Sequence, residues 1–350
     1  MDMSMKQRIW KIGLLMFLSG FFVNRTFAQE CKELLGEKDG KYYFQNGTII
    51  TAKDRQTAIA TYNDIKKGNE YFSNGYKNFV EGNYKSAIEW YNKALKLGNT
   101  DASCNLGYCY EHGLGVEKDK YKAFECYMQS AQVGDAIAQF NVARMFEYDK
   151  KYEEAVEFYE KAAKQGHMTS QRKLGNYFFY GRGVRRNYTT AAQWYEKAAK
   201  QGDKEAQIDL AECYYDGAGV AQNYLEAVKW YVKAANQGSS DAQYQLGYMY
   251  SEGLGVTRDY AEAIRWYRKA ADNGDADAIC CLANKYYNGQ GVTQDYGKAL
   301  ELYHKAADKG VYQAMYVISE CYTYGRGVKK DLNQANYWKQ KAKELENKNK

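Results

Sequence analysis

Proline is absent from the 350-residue chain, and histidine occurs only three times. Without proline, no residue interrupts a helix by withholding a backbone N–H or clashing with the preceding turn. His112, His167 and His304 stand at three unrelated places in the chain's periodicity, so no histidine-based catalytic or metal centre is assembled by pattern. Long apolar runs are missing too. The longest, residues 12–23, falls short of the roughly 20 apolar residues that span a bilayer, which speaks against stable membrane insertion. Charge of one sign is equally scarce: 49 Lys and Arg face 43 Asp and Glu, a net +6. Such a balance builds no basic field of the kind a nucleic-acid binder uses, so nucleic acid is not expected as a partner.

What the first 28 residues do contain is an export signal. Lys6, Arg8 and Lys11 form a charged head, residues 12–23 an apolar core, and Thr26-Phe27-Ala28 a small-residue cleavage site. Cleavage is expected after Ala28, leaving 45 basic against 42 acidic residues, a net +3. The expected address is periplasmic or secreted, and the style of the site points to a bacterium. A lipid anchor on Cys31 is disfavoured, because Ala28-Gln29-Glu30 lacks the small apolar residues such a site needs. All eight cysteines lie beyond residue 28, where an oxidising compartment would let disulfides persist.

The rest of the chain repeats. Gly-x-Gly-Val recurs at Gly181, Gly217, Gly253, Gly289 and Gly325, a constant step of 36, and once more at Gly113. Seven units follow from that register: residues 99–134, 135–166, 167–202, 203–238, 239–274, 275–310 and 311–346. The second is four residues short, with Glu147-Tyr148-Asp149-Lys150 in place of the glycine loop. A divergent eighth unit covers residues 68–98, and a lead-in helix is expected over residues 52–67. Residues 29–50, with Tyr42, Tyr43, Phe44 and the turn signal Asn46-Gly47, are assigned to no element, and residues 347–350 are a tail.

Each unit reads as two helices. Ala206, Leu210 and Tyr214 line one stripe of the first, and Ala227, Trp230, Tyr231 and Ala234 one face of the second. Gly217 ends the first helix, and an Asn or Asp opens the second at positions 83, 119, 187, 223, 259, 295 and 331. Neither helix buries its stripe alone, so the units must stack. Lys339 and Lys343 replace the usual Tyr and Ala in the last unit, which marks it as a cap.

The consensus A-x-x-x-L-(G/A)-x-x-Y-x-x-G-x-G-V-x-x-(N/D)-Y-x-x-A-x-x-W-Y-x-K-A-A-x-x-G, carried by residues 167–274, resembles the Sel-one-like repeat. The two units without a glycine loop resemble the related tetratricopeptide repeat. The resemblance implies an all-α fold, a right-handed superhelical solenoid of stacked antiparallel helix pairs, and a role as adaptor or scaffold. By analogy with tetratricopeptide arrays, its concave face carries the column Tyr108, Arg144, Asn176, Glu212, Tyr248, Asn284 and Glu320. That column varies in chemistry while its neighbours stay constant, as a surface for a protein or peptide would. Cysteine-rich exported relatives suggest an alternative, a cell-wall-related hydrolase or penicillin-binding, β-lactamase-like activity. Their cysteines come as a regular pair per repeat, and here they do not.

Residues that could carry other chemistry have plainer readings beside them. Six glycine loops between helices are turns, not one phosphate cradle. Cys109 and His112 are a single pair where a structural zinc wants four ligands, so neither metal nor cofactor is expected. Cys104 and Cys126 fall on the two helices of one unit and could bridge, or both could be small core residues. The histidines read as solvated surface residues. Arg182, Arg185 and Arg186 form the densest basic cluster, either a solvated loop or a seat for an acidic partner.

Overall fold

The computed structural model describes residues 33–348, so the expected signal segment and Cys31 lie outside the described residues. Three short strands come first: β1 (Leu34–Lys38), β2 (Lys41–Phe44) and β3 (Ile49–Thr51). The helices follow in pairs. They are α1 (Arg55–Val80) and α2 (Tyr84–Lys96), α3 (Asp101–His112) and α4 (Lys120–Gln132), α5 (Ala136–Tyr148) and α6 (Tyr152–Lys164), and α7 (Met168–Tyr180) and α8 (Tyr188–Lys200). Next come α9 (Lys204–Asp216) and α10 (Tyr224–Asn236), α11 (Ser240–Glu252) and α12 (Tyr260–Asp272), α13 (Ala276–Asn288) and α14 (Tyr296–Asp308), and α15 (Tyr312–Tyr324) and α16 (Leu332–Lys348). No helix among the described residues is long and apolar enough to cross a membrane. The chain divides into two compact units, Met1–Ala138 and Gln139–Lys350.

In the first unit the unassigned segment proves to be an antiparallel sheet in the order β1-β2-β3. Asp39 and Gly40 both take positive φ to turn β1 into β2, and the Asn46 side chain accepts from the Thr48 N–H at 3.1 Å in the next turn. Tyr42, Phe44 and Ile50 point to one face and pack on Ala58 and Tyr62 of α1, with the Phe44 and Tyr62 rings stacked 4.0 Å apart. The all-helical expectation therefore needs this small addition. The lead-in helix needs a correction as well: it is no separate element but the first half of the 26-residue α1, whose second half is the first helix of the divergent unit. Gly68, in mid-helix, does not break it; an added Cβ there would meet Leu97 and Asn99 at ordinary contact distance.

Pairing within a unit depends on one small residue meeting one large ring. A Cβ built on Gly175 would lie 2.5 Å from the Tyr195 ring, and one on Gly247 2.6 Å from that of Tyr267. Ala211 and Ala283 stand at the equivalent places, fully buried, opposite Tyr231 and Tyr303, both about 1% exposed. Burying each such ring contributes roughly 1.5–3 kcal/mol. Lysines one turn further along cover the tryptophans: the Lys197, Lys233 and Lys269 ammonium groups sit 3.9, 3.6 and 4.1 Å from the rings of Trp194, Trp230 and Trp266.

Caps follow the sequence with two exceptions. Asp119, Asn187, Asn223, Asp259, Asp295 and Asp331 all accept backbone N–H groups of the second helices. Asn83 does not; its backbone leaves the extended region, and no side-chain cap bond forms. His167, read as a solvated residue, is instead half-buried and caps α7, its Nδ1 accepting from the Ser170 N–H at 3.2 Å. It stands in the column where Asp203 and Asp275 cap α9 and α13.

Stacking between pairs in the second unit has an apolar and a polar part. The buried amides of Gln171, Gln207 and Gln243 donate to the carbonyls of Ala163, Ala199 and Ala235 in the last turn of the preceding pair, at 3.1, 3.1 and 3.2 Å. Gln201, Gln237 and Asn273 then donate to those same three glutamines at 2.7, 2.9 and 3.0 Å. Helix-end carbonyls that would otherwise be buried without enough partners are thereby satisfied. The stack ends at α16, where Trp338 and Ala342 are buried against α15 while Lys339 and Lys343 are exposed, as a terminal cap requires.

The two glycines of each loop have separate duties. Gly217 closes α9 in the left-handed conformation, φ 74°. Gly219, also at positive φ, lets the loop reach the start of α8 in the preceding pair, where an added Cβ would run into the Tyr188 carbonyl. Gly238 has a similar φ of 84° but open space around it. Gly238→Ala is therefore expected to cost about 1 kcal/mol, from backbone conformation alone. Gly219→Ala adds a backbone clash and should cost at least about 2 kcal/mol more. Urea midpoints of the two variants decide it, and equal losses would contradict this division of labour.

Candidate functional site

Within the second unit the first helices of neighbouring pairs run side by side, α11 touching α13 directly. One face of each is spent on its own pair, and the residues of the variable column lie along the other. Glu212 and Glu320 are exposed and Tyr248 is 38% exposed, beside Tyr215. Arg144, Asn176 and Asn284 are half-buried. Tyr108 belongs to the first unit, where it is half-buried between His112, stacked at 4.0 Å, and the edge of Phe79.

Two members of the column also have an internal task that the sequence reading did not reveal. The Tyr195 hydroxyl donates to Asn176 Oδ1 at 2.6 Å, and that of Tyr303 to Asn284 Oδ1 at 2.5 Å. Elsewhere Tyr159 donates to Glu147 at 2.6 Å, and in the first unit Tyr127 donates to Glu111 at 2.9 Å. These four core tyrosines of second helices thus thread their rings through the pair and deliver their hydroxyls to the polar side of the first helix. Burial pushes the Tyr159, Tyr195 and Tyr303 phenols well above their usual pKa, so they remain donors.

The variable strip is wider than one column. Three residues before it stand Lys173, Asp209 and Cys281, which vary just as freely, and this variation could have been found in the sequence. Lys173 pairs with Glu147 at 3.0 Å. Burial raises the Glu147 carboxyl, but hydrogen bonds from Tyr159 and Lys173 and the lysine charge outweigh it, so the group lies below the ordinary carboxylate pKa. Asp209 goes the other way. Burial and then the Glu212 charge push it up to about 7, although Arg172 opposes the shift; Arg172 is itself held by Asp203 at 3.0 Å.

The basic loop is divided by the fold. Arg182 joins Glu147, Lys173, Asn176, Tyr177 and Tyr180 around one recess, whereas Arg185 and Arg186 line another hollow with Phe178, Val184 and Asn187. No cluster of three potential metal-ligating side chains occurs among the described residues. Cys104 is buried and Cys126 half-buried, and the structure holds both as thiols. Burial pushes Cys213 and Cys280 up to about 12, and Cys109 and Cys321 to about 11, so these thiols are protonated packing groups and not nucleophiles. One serine–lysine pair does form, Lys285 Nζ donating to Ser251 Oγ at 2.6 Å. Ser251 is only 3% exposed, which closes the hydroxyl to any substrate.

The fold and this face together define a class: a stacked array of helix pairs with a constant packing frame and one changing polar strip. Comparison with known families names it. The Sel1 repeat model matches residues 68–99, 100–135, 136–167, 169–203, 204–239, 240–275, 276–311 and 313–347, and the chain belongs to that family. A protective antigen of uropathogenic Escherichia coli displaying an SLR fold is 29% identical, with a TM-score of 0.62 over 82% of this chain and 78% of its own. A Sel1 repeat protein from Oxalobacter formigenes is 35% identical, with a TM-score of 0.56 over 59% of this chain and 85% of its own. An ERAD-associated E3 ubiquitin-protein ligase component of Candida glabrata is 36% identical over 91 residues, 25% of this chain. The chain spans only 11% to 19% of the length of five curated relatives it matches.

Asp209 gives the strip a measurable pH dependence. Its folded pKa lies above its unfolded one, so its contribution to stability is full below about 3.9 and is lost as pH rises through about 7. Asp209→Asn, which mimics the protonated form, is expected to melt at a higher temperature than the parent at pH 8. The advantage should shrink as pH falls and approach zero only near pH 4. An asparagine variant no more stable than the parent at pH 8 would show that the site is not strained by charge.

Proposed function

We propose that this chain is an exported scaffold that binds a protein or peptide along the first-helix face of its repeats. The observation that carries the reading is the contrast between columns in the second unit. Ala227, Ala263 and Ala299, or Tyr195, Tyr231, Tyr267 and Tyr303, repeat unchanged in the core. On the first helices Glu212, Tyr248 and Glu320 succeed one another at equivalent places facing solvent. Packing fixes the first set, whereas the second lies outside the core. The Candida glabrata relative, named as a component of a ubiquitin-ligase assembly, supports a binding role without specifying a partner. Specificity spread over several repeats leaves no single residue essential.

The structure decides which substitutions make a fair test. Replacing Asn176 or Asn284 would strand a buried tyrosine hydroxyl, so loss of binding could reflect loss of packing. Glu212, Tyr248 and Glu320 carry no such burden. In affinity capture from the exported fraction of the native cells, mature protein beginning at Gln29 should retain a defined protein. The triple alanine variant, still folded by circular dichroism, should lose it. Equal retention by both would remove this face as the recognition surface.

A further inference from the structure

The recess between α5 and α7 is a donor-rich pocket. Both oxygens of Glu147 take hydrogen bonds from Lys173, at 3.0 and 3.1 Å, and Oε2 takes another from Tyr159 at 2.6 Å. The one acid of the recess is thereby spent. Its donors are not. An ammonium carries three N–H groups, so Lys173 keeps one for an outside acceptor. Asn176 has its oxygen engaged by Tyr195, which leaves its amino end as the group to offer. Tyr177 lines the recess at 2% exposed, but its hydroxyl is buried toward Glu147 and is closed to an outside acceptor. Arg182 lies 5.4 Å from the ring of Tyr180, an exposed tyrosine at the rim, which steadies the guanidinium beside the opening.

Lys173 and Arg182 against Glu147 leave a net charge of one positive. We propose that this recess binds a carboxylate of the partner, a monoanion with two oxygens to share among the Lys173, Asn176 and Arg182 donors. A phosphate dianion would meet too little positive charge and would face Glu147. The proposal rests on the reading of the first-helix face as a recognition surface and gives it one anchoring point.

The test uses the whole mature chain, labelled with ¹⁵N-asparagine, and follows the Asn176 side-chain amide at low salt. N-acetyl-Gly-Gly with a free terminal acid and N-acetyl-Gly-Glu-Gly-amide with only a side-chain acid are titrated separately. N-acetyl-Gly-Gln-Gly-amide and inorganic phosphate serve as controls. At least one acid probe is expected to give a saturable shift, and comparing the two tells a chain end from an acidic side chain. The glutamine peptide should give none. Arg182→Gln, at an exposed loop position outside the core, should weaken the acid probe by about ten-fold. No saturable shift, an equal shift with the glutamine peptide, tighter binding of phosphate, or unchanged affinity in Arg182→Gln would each overturn the site. Capture of a protein partner that depends on Glu212, Tyr248 and Glu320 would survive any of those results, so the pocket and the face can fail independently.

Discussion

The close approach of a loop backbone to the preceding helix pair is the constraint on which the stack depends. Gly219 against Tyr188 has counterparts at Gly183 against Tyr152 and at Gly291 against Tyr260, where an added Cβ would lie 2.5 and 2.7 Å from backbone or ring-bearing carbon. A side chain at these places would push one pair off the next and open the buried Gln171, Gln207 and Gln243 bonds to water. Stacking in this protein is therefore a backbone-to-backbone contact first, with apolar filling around it. That order explains why the six glycine loops tolerate Leu114, Arg182, Ala218 and Gln290 between their glycines but keep the glycines themselves.

Frame and face are joined by the core tyrosines. Their rings fill the gap that Gly175, Ala211, Gly247 and Ala283 leave, and the hydroxyls of Tyr195 and Tyr303 emerge among the polar residues of the first helices. Asn176 and Asn284 answer that hydroxyl directly, so the face is varied only within what the tyrosine beneath permits. At Glu147, where the answering group is an acid, Lys173 neutralises it. The recess at Lys173 and Arg182 is a product of that local solution.

Much of this was legible in the sequence because periodicity reports packing. The 36-residue step placed the helix pairs, the cap residues and the polar last unit at Lys339 and Lys343. Three things were not legible. The sheet over residues 34–51 has no repeat to announce it, and its alternation is only a few residues long. His167 caps a helix through its ring nitrogen, a role that residue type alone rarely signals. The tasks of Asn176 and Asn284 depend on a tyrosine 19 residues away, and neither spacing nor composition reveals where a hydroxyl ends up.

The central claim is that the frame is constant and the face exchangeable. It is tested most directly by moving one face onto another: Asp209→Gln, Glu212→Tyr and Asp216→Glu together give the unit of residues 203–238 the first-helix residues of the next unit, Gln245, Tyr248 and Glu252. Thermal unfolding and partner retention are then measured on the same protein. The account predicts a melting temperature no lower than the parent's at pH 8, since exposed substitutions cost within about 0.5 kcal/mol and a strained acid is removed, together with lost or altered retention. A transplant that unfolds the chain, or one that binds the parent's partner undiminished, would contradict it.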